Sequence, residues 1–314
     1  MTDIKMGISS CLLGNEVRHD GGHKRNTYVM SALSEYFSFR PFCPEVAIGL
    51  GVPRPTIRLS KIENQIRLVG TKNPDMDLTD DMNRWSENAM NGMDDLSGFI
   101  LKSNSPSCGM ERVRVYDSNG MPSRDGTGLF ATVLMQKNPA LPVEEEGRLN
   151  DPVLRENFIE RVFVYYRWQK MVEDGFTVSD LMAFHQQHKF ILLAHNEQEY
   201  RKLGPLIAAV NRDNLEHTAD EYLVRMMACM KSRASRKRHT IVLMHVMGYL
   251  KKKINSDDKK ELIEILDNYG LGKVPLIVPI TLMKHHLRVY PDEYISSQYY
   301  MAPYPEELML RNMV

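Results

Sequence analysis

Residues 96–108 read LSGFILKSNSPSC: an apolar run long enough for one strand, then a loop of Lys, Ser, Asn and Pro that ends on Cys108. The arrangement occurs twice upstream, as IKMGISSC at residues 4–11 and FSFRPFC at residues 37–43, ending on Cys11 and Cys43. Helical stretches around residues 26–37 and 80–93 separate the three runs. The first half therefore predicts strand, helix, strand, helix, strand, an α/β domain with a mostly parallel sheet. Functional groups in such a sheet gather at the carboxyl ends of its strands. Three cysteines just past three strand ends are thus expected to converge on one point.

Each cysteine alone is compatible with a small buried hydrophobe. Their neighbours, however, are Gly, Pro, Ser and Asn, which make loops rather than cores. A zinc site wants a fourth protein ligand or a close Cys-x-x-Cys pair, and neither is present. Three widely spaced thiolates suit a 4Fe-4S cluster with one open iron, a soft Lewis acid that prefers sulfur. Glu45 follows Cys43 by two residues, so in an extended segment the two side chains leave one face roughly 7 Å apart, where a carboxylate can act as acid or base. Ser103, Ser105 and Ser107 precede Cys108 and offer hydroxyl and N–H donors, although Asn104, Ser105 and Pro106 also explain a plain turn. The segment VRHDGGHK at residues 17–24 either binds an anion or only reverses the chain.

CLLGNEVRHDGGHK at 11–24, CPEVAIGLGVPRP at 43–55 and KSNSPSCG at 102–109 resemble the three signature segments of the TudS thiouracil desulfidase domain, over roughly residues 4 to 147. The resemblance implies that Cys11, Cys43 and Cys108 hold a 4Fe-4S cluster with one open iron. It further implies that Glu45 is the catalytic acid or base and Ser105 the assisting serine. His19 stands where a Tyr is more usual. In the implied chemistry a thiocarbonyl sulfur ligates the open iron and water attacks the carbon. Glu45 takes the proton from that water, and no net electron transfer is needed.

After TVLMQKNPALPVEEEGRLND at 132–151 strands become scarce, with Pro139, Pro142 and the acidic triplet Glu144 to Glu146 marking a boundary. The expected domains are 1–150, α/β, and 151–314, all-α. Apolar residues recur at helical spacing through six later segments, several with Ser or Asp at the start and Gly at the end. His185, His188 and His195 fall on one face of a single expected helix, where polar packing or anion contact outweighs a metal site. Cys229 reads as a core residue. The tail tyrosines Tyr290, Tyr294, Tyr299, Tyr300 and Tyr304 either stack on unpaired bases or pack the tail onto the helices. FHQQHKFILLAH, RKRHTIVLMHVMGYLKKK and QYYMAPYPEEL resemble the YbgA-type domain found after TudS-like domains, from roughly residue 160 onward. That fusion implies an RNA-binding role and a substrate larger than a free base: 4-thiouridine in tRNA, reverted to uridine.

The chain carries 40 Lys plus Arg against 40 Asp plus Glu, a balance that argues against long-range attraction to nucleic acid. Local charge tells otherwise, since residues 225–253 hold Lys and Arg but no acid. Within that run Lys231, Arg233, Arg236, Lys237, Arg238, Lys251, Lys252 and Lys253 are the candidate RNA contacts. Ordinary globular composition excludes collagen, coiled coil and disorder, and no apolar run reaches the roughly 20 residues of a membrane span. With an acid at Asp3 and no apolar leader, the expected compartment is the cytoplasm. Two other readings share these residues: a desulfidase of free thiouracil or a thionucleoside with the helical half used for dimerisation, and a noncatalytic iron-sulfur sensor or sulfur carrier.

Overall fold

The computed structural model describes residues 4–314; Met1 to Asp3, read above for a leader, lie outside it. The chain divides into two compact units, Met1–Asn150 and Asp151–Val314. The first unit is α/β and the second is helical.

In the first unit, strands β1 (Ile4–Ser9), β2 (Phe37–Phe42), β3 (Ile57–Ile62), β4 (Gln65–Gly70), β5 (Gly98–Leu101), β6 (Val113–Tyr116), β7 (Pro122–Gly126) and β8 (Val143–Glu145) form two sheets. The first has the order β2-β1-β5-β8, with every pair parallel. Chain order leaves β1 for β2 on one side and returns to β5 on the other. A switch of direction of this kind opens a crevice at the carboxyl ends. Phe99 of β5 lies across β1 at Gly7, where an added Cβ would sit 2.3 Å from its ring. Phe99 and Phe130 are fully buried and meet each other, Phe42 and Trp85 in tilted and edge-on ring contacts. Burial of each such ring contributes about 2–3 kcal/mol.

Helices α1 (Pro44–Ala47), α2 (Thr79–Met90) and α3 (Leu129–Lys137) complete this unit. The expected helix at residues 26–37 shrinks to a short turn with a π-helical core at Val29–Leu33. The acidic triplet, read as marking the boundary, lies inside the first unit a few residues before its end at Asn150. Glu144 and Glu145 lie in β8 beside β5, and all three carboxylates are buried against partners. Glu144 accepts from Arg148 Nε at 2.6 Å, Glu145 from the Met110 N–H at 2.8 Å, and Glu146 from the Ser103 N–H at 2.8 Å.

A second sheet, β4-β3-β6-β7, was not expected. The hairpin β3-β4 turns on Glu63 and Asn64, both at positive φ, as a two-residue turn between right-twisted strands requires. No glycine announces that turn. The β6-β7 turn, by contrast, carries Gly120 in Asp-Ser-Asn-Gly, a readable signal.

The second unit contains α4 (Pro152–Glu173), α5 (Val178–Gln187), α6 (Lys189–His195), α7 (Glu197–Ala208), α8 (Leu215–Lys231), α9 (Arg236–Leu250), α10 (Ser256–Gly270), α11 (Ile277–Val289) and α12 (Glu293–Ser296). Side-chain N-caps start most of them: Asp151, a Thr177–Asp180 capping box, Asn196, Ser235, Asn255 and Asp292. The single helix expected over the three histidines breaks at His188. Its buried ring receives Arg167 Nε at 3.1 Å and donates to the Phe184 carbonyl at 2.7 Å. Burial, aided by Arg167, holds it well below the ordinary histidine value, so it is neutral. The tail packs inward, with Tyr300 and Tyr304 buried and Tyr299 stacked on His188.

Charges fill the centre of this unit. His195 Nε2 meets Glu160 at 2.7 Å, Arg311 approaches Glu160 at 3.5 Å, and Tyr304 donates to Glu156 at 2.9 Å. Burial and then the neighbouring Glu160 push Glu156 up to about 7 from an ordinary 4.5. A carboxyl raised in this way holds an extra proton in the folded state between those values, so its contribution to stability erodes as pH rises through that window. Glu156→Gln keeps the acceptor for Tyr304 and removes the titration. Its stability relative to the parent is expected to climb by up to about 3 kcal/mol between pH 4.5 and 7. Denaturant unfolding across that range checks this, and a flat difference would contradict it.

Candidate active site

The carboxyl ends of β1, β2 and β5 each deliver one cysteine to a single pocket. Cys11 sits in the turn after β1, Cys43 directly follows β2, and Cys108 closes the loop after β5. All three line a chamber of about 210 Å³ together with Glu45, Arg54 and Ser105. A single water needs only about 10–15 Å³, so the chamber accepts a group of several heavy atoms.

The Cys108 loop is held by α3. The Leu129 and Ala131 N–H groups donate to the carbonyls of Pro106 and Ser107, which satisfies amides left free at a helix start. Gly128 makes the approach feasible, because a Cβ there would lie 2.5 Å from the Ser107 carbonyl. Ser105 Oγ in turn accepts the Cys108 N–H at 3.1 Å and the Ser107 N–H at 3.3 Å.

Cys43 and Glu45 do not share an extended segment. Pro44 occupies the first position of α1 with Cys43 as its N-cap, so the chain turns helically and Glu45 points into the pocket from the first turn. Arg54 then grips one carboxylate oxygen twice: Nε at 3.0 Å and Nη2 at 2.6 Å, both to Oε2. The Arg54 side chain is only 4% exposed, which makes this a fixed clamp rather than a surface pair. Ser107 Oγ donates to the other oxygen, Oε1, at 2.7 Å.

Ser105 was expected as the assisting serine that hydrogen-bonds the reacting centre. The structure puts Ser107 against Glu45, with Ser105 Oγ 3.0 Å behind it. Because the Ser107 proton is committed to Glu45, Ser105 is the donor of the pair. The result is a directed chain from Ser105 through Ser107 to Glu45. A carboxylate offers about four acceptor positions. Arg54 takes two on Oε2 and Ser107 one on Oε1, so one acceptor position on Oε1 is left for a water or substrate proton.

Lys102 also lines the chamber, paired with Glu146 and bonded to Ser103 Oγ at 2.8 Å, while its N–H donates to Ser9 Oγ at 2.9 Å. The 17–24 segment is a turn closed by Arg18 and Gly22, and it brings Arg18 and His19 to the pocket. Arg54 and Lys102 were absent from the sequence reading of the site, which had named Ser107 only as one of three donors in the loop before Cys108. Arg54 had the one available signal, a lone cation in an otherwise apolar Gly-Pro segment.

Burial pushes the Cys108 thiol up to about 12 and the Cys11 thiol up to about 11, the latter against the pull of Lys102 and Arg18. Cys43 is raised for the same reason, with the Val46 N–H opposing. Bare thiolates are therefore disfavoured, and the pocket suits a cationic group that neutralises sulfur. Among the described residues no three Cys, His, Asp or Glu side chains converge as a single-ion site requires. Three soft sulfur donors around a chamber of this size fit an iron-sulfur cluster.

The basic run of the helical unit separates into two groups. Lys231, Arg233, Arg236, Lys237 and Arg238 lie at the end of α8 and the start of α9, and Lys251 to Lys253 follow the end of α9, about 22 Å further along its axis. Arg238 is bonded to the His195 carbonyl, Arg236 lies 5.4 Å over the Tyr269 ring, and Lys253 pairs with Asp292 at 3.4 Å. Arg233, Lys237, Lys251 and Lys252 are exposed. Cys229 is buried against the Asn196 carbonyl, with its thiol pushed up to about 12 by that burial. No helix among the described residues is long and apolar enough to cross a membrane.

Residues 6–146 match the family model described as 2-thiouracil desulfurase, and residues 189–305 match a model described as a protein of unknown function, DUF1722. A relative from Escherichia coli K12, the uncharacterized protein YbgA, is 35% identical over 153 residues, which are 48% of this chain and 90% of the relative. Among solved structures, the 4Fe-4S-dependent thiouracil desulfidase TudS is 30% identical and covers 48% of this chain and 95% of its own, with a TM-score of 0.38. The chain thus belongs to the family of YbgA-type proteins, and it joins a 2-thiouracil desulfurase domain at residues 6–146 to a DUF1722 domain at residues 189–305.

Proposed function

We propose that this protein is an iron-sulfur-dependent, non-redox desulfidase that converts thiolated uracil to uracil, with 4-thiouridine in tRNA as the substrate. The observation that carries the reading is the convergence of Cys11, Cys43 and Cys108 on one chamber that also holds a clamped carboxylate. A 4Fe-4S cluster bound by these three cysteines would supply an open iron as a soft Lewis acid for the thiocarbonyl sulfur. The matched 2-thiouracil desulfurase domain supports this assignment.

Glu45 is the base. Its remaining acceptor position on Oε1 takes a proton from water, which attacks the thiocarbonyl carbon. Arg54 holds the carboxylate in place and disperses its charge, while Ser105 and Ser107 carry a proton toward or away from Oε1. Water supplies the oxygen and both protons, sulfur leaves as hydrogen sulfide, and no electrons are exchanged.

The helical unit is assigned to the RNA. Arg233, Lys237, Lys251 and Lys252 reach from one end of α9 to the other, a span that suits a polyanion and not a single nucleotide. Anaerobic incubation of cluster-loaded protein with 4-thiouridine-containing tRNA, and separately with free thiouracil, tests the reading through loss of thiocarbonyl absorbance. Faster turnover of the tRNA is expected. Turnover of free thiouracil alone would overturn the tRNA assignment, and turnover of neither would overturn the enzymatic reading.

A further inference from the structure

The second sheet presents a basic and aromatic face that the proposed chemistry does not use. Leu59, Leu68, Val113 and Val115 fill its inner side and are buried. Alternation along each strand then turns Arg58, Arg114, Tyr116 and Arg124 outward together. Arg114 and Arg124 are direct register partners across β6 and β7. Facing residues on one side of such a pair have Cβ atoms about 5 Å apart, and like charges there are destabilising. Both side chains are exposed, and no carboxylate pairs with either among the described residues. The acids flanking the hairpin are already engaged: Asp117 accepts from the Asn119 N–H at 2.9 Å and the Met121 N–H at 2.7 Å, and Asp125 accepts from the Ser123 hydroxyl at 2.5 Å.

Arg58 adds a third cation, stacked 4.9 Å over the Tyr116 ring, and its buried Nε has no hydrogen-bond partner. These groups line an open groove of about 790 Å³. Asn104 and Pro106 of the Cys108 loop line both this groove and the cysteine chamber, so the two adjoin across that loop. A positively charged track with an aromatic platform on a sheet is the physical form of a single-stranded nucleic-acid seat.

We infer that this groove binds the RNA strand flanking the thiolated base, with Arg58, Arg114 and Arg124 on phosphates and Tyr116 stacked on an unpaired base next to the one inserted in the chamber. The inference rests on the reading of the protein as a desulfidase of thiolated uracil in RNA. It deepens that reading by placing strand recognition on the catalytic domain itself. A free base or nucleoside has no flanking phosphates and does not use the groove.

The test uses the full chain in two assays. Anisotropy with a labelled single-stranded RNA of about 12 nucleotides, over a salt series, compares the parent with the Arg114→Gln/Arg124→Gln double variant and with Tyr116→Ala. Loss of two phosphate contacts is expected to flatten the slope of log affinity against log salt by about 1.4. Loss of the stacking ring is expected to weaken binding by about 5- to 100-fold. Thermal stability of the double variant is expected to hold or rise, since a like-charge pair is removed. With cluster-loaded protein, kcat/KM on thiolated RNA is expected to fall by the binding factor, and turnover of free 4-thiouridine to stay unchanged. An unchanged salt slope, an equal loss on nucleoside and RNA, or polyglutamate bound as tightly as RNA would overturn the groove assignment. Failure of the parent on both thiolated substrates would instead sink the desulfidase reading, while the binding assay still judges the groove.

Discussion

Glu45→Gln is expected to lower desulfidase turnover by about 10²- to 10⁴-fold, the range that a positioned general base contributes. Gln preserves the volume, and its carbonyl oxygen still accepts from Arg54 or Ser107, so the pocket keeps its shape. What is lost is the basic oxygen with the one unfilled acceptor position. Arg54 takes Oε2 through two hydrogen bonds, and Ser107 takes half of Oε1. Since Glu45 is not among the three sulfur donors, iron content and visible absorbance after anaerobic assembly should match the parent. Full turnover by the variant at normal iron content would remove Glu45 from the mechanism.

Arg311→Leu is expected to cost about 3–5 kcal/mol of stability, read from the denaturant midpoint of the helical unit. Arg311 is 4% exposed and lies among Glu156, Glu160 and the Tyr300 carbonyl, to which its Nη1 donates at 2.6 Å. Burial opposes its charge, but Tyr304 and Glu160 outweigh that and hold the guanidinium above its ordinary value. Removing it strands two buried carboxyls with only His195, Tyr304 and their own protonation to compensate. The penalty is that of an unpaired buried charge, far above the roughly 0–1 kcal/mol of a surface ion pair. A loss below about 1 kcal/mol would show that the network does not depend on this cation. Glu156→Gln probes the same network from the opposite side, since the parent carboxyl is already held toward its neutral form.

The thiols were legible because short apolar runs ending in loop residues announce parallel strands, and parallel strands align their carboxyl ends. Cys11, Cys43 and Cys108 accordingly meet although 32 and 65 residues separate them along the chain. The hydroxyl next to Glu45 was not legible. Ser105 and Ser107 have the same chemistry and nearly the same position in the chain, and only the pinning of the loop by α3 decides which one faces the carboxylate. The burial of Glu144 to Glu146 was not legible for a related reason. Their partners Arg148, Met110 and Ser103 come together only when β8 joins β5. His188 likewise sits at helical spacing with His185 and His195, and the helix breaks there around a hydrogen bond to Arg167, 21 residues earlier in the chain.

Period, caps and turn residues are local properties, and from them the sequence alone determined an α/β half with three convergent cysteines and a helical half with a basic segment. Tertiary structure alone decided how the site is wired: the Arg54 clamp on Glu45, the Ser105–Ser107 chain, and the outward face of Arg58, Arg114, Tyr116 and Arg124. The physical reason is that a hydrogen bond or a like-charge pair depends on angstrom-scale register between distant segments. Arg114 and Arg124 oppose each other because the turn at residues 117–121 sets β6 against β7 in the register Tyr116↔Pro122, Val115↔Ser123, Arg114↔Arg124. Residue spacing along the chain does not record that this turn folds into a second sheet, or which face of it the pair takes.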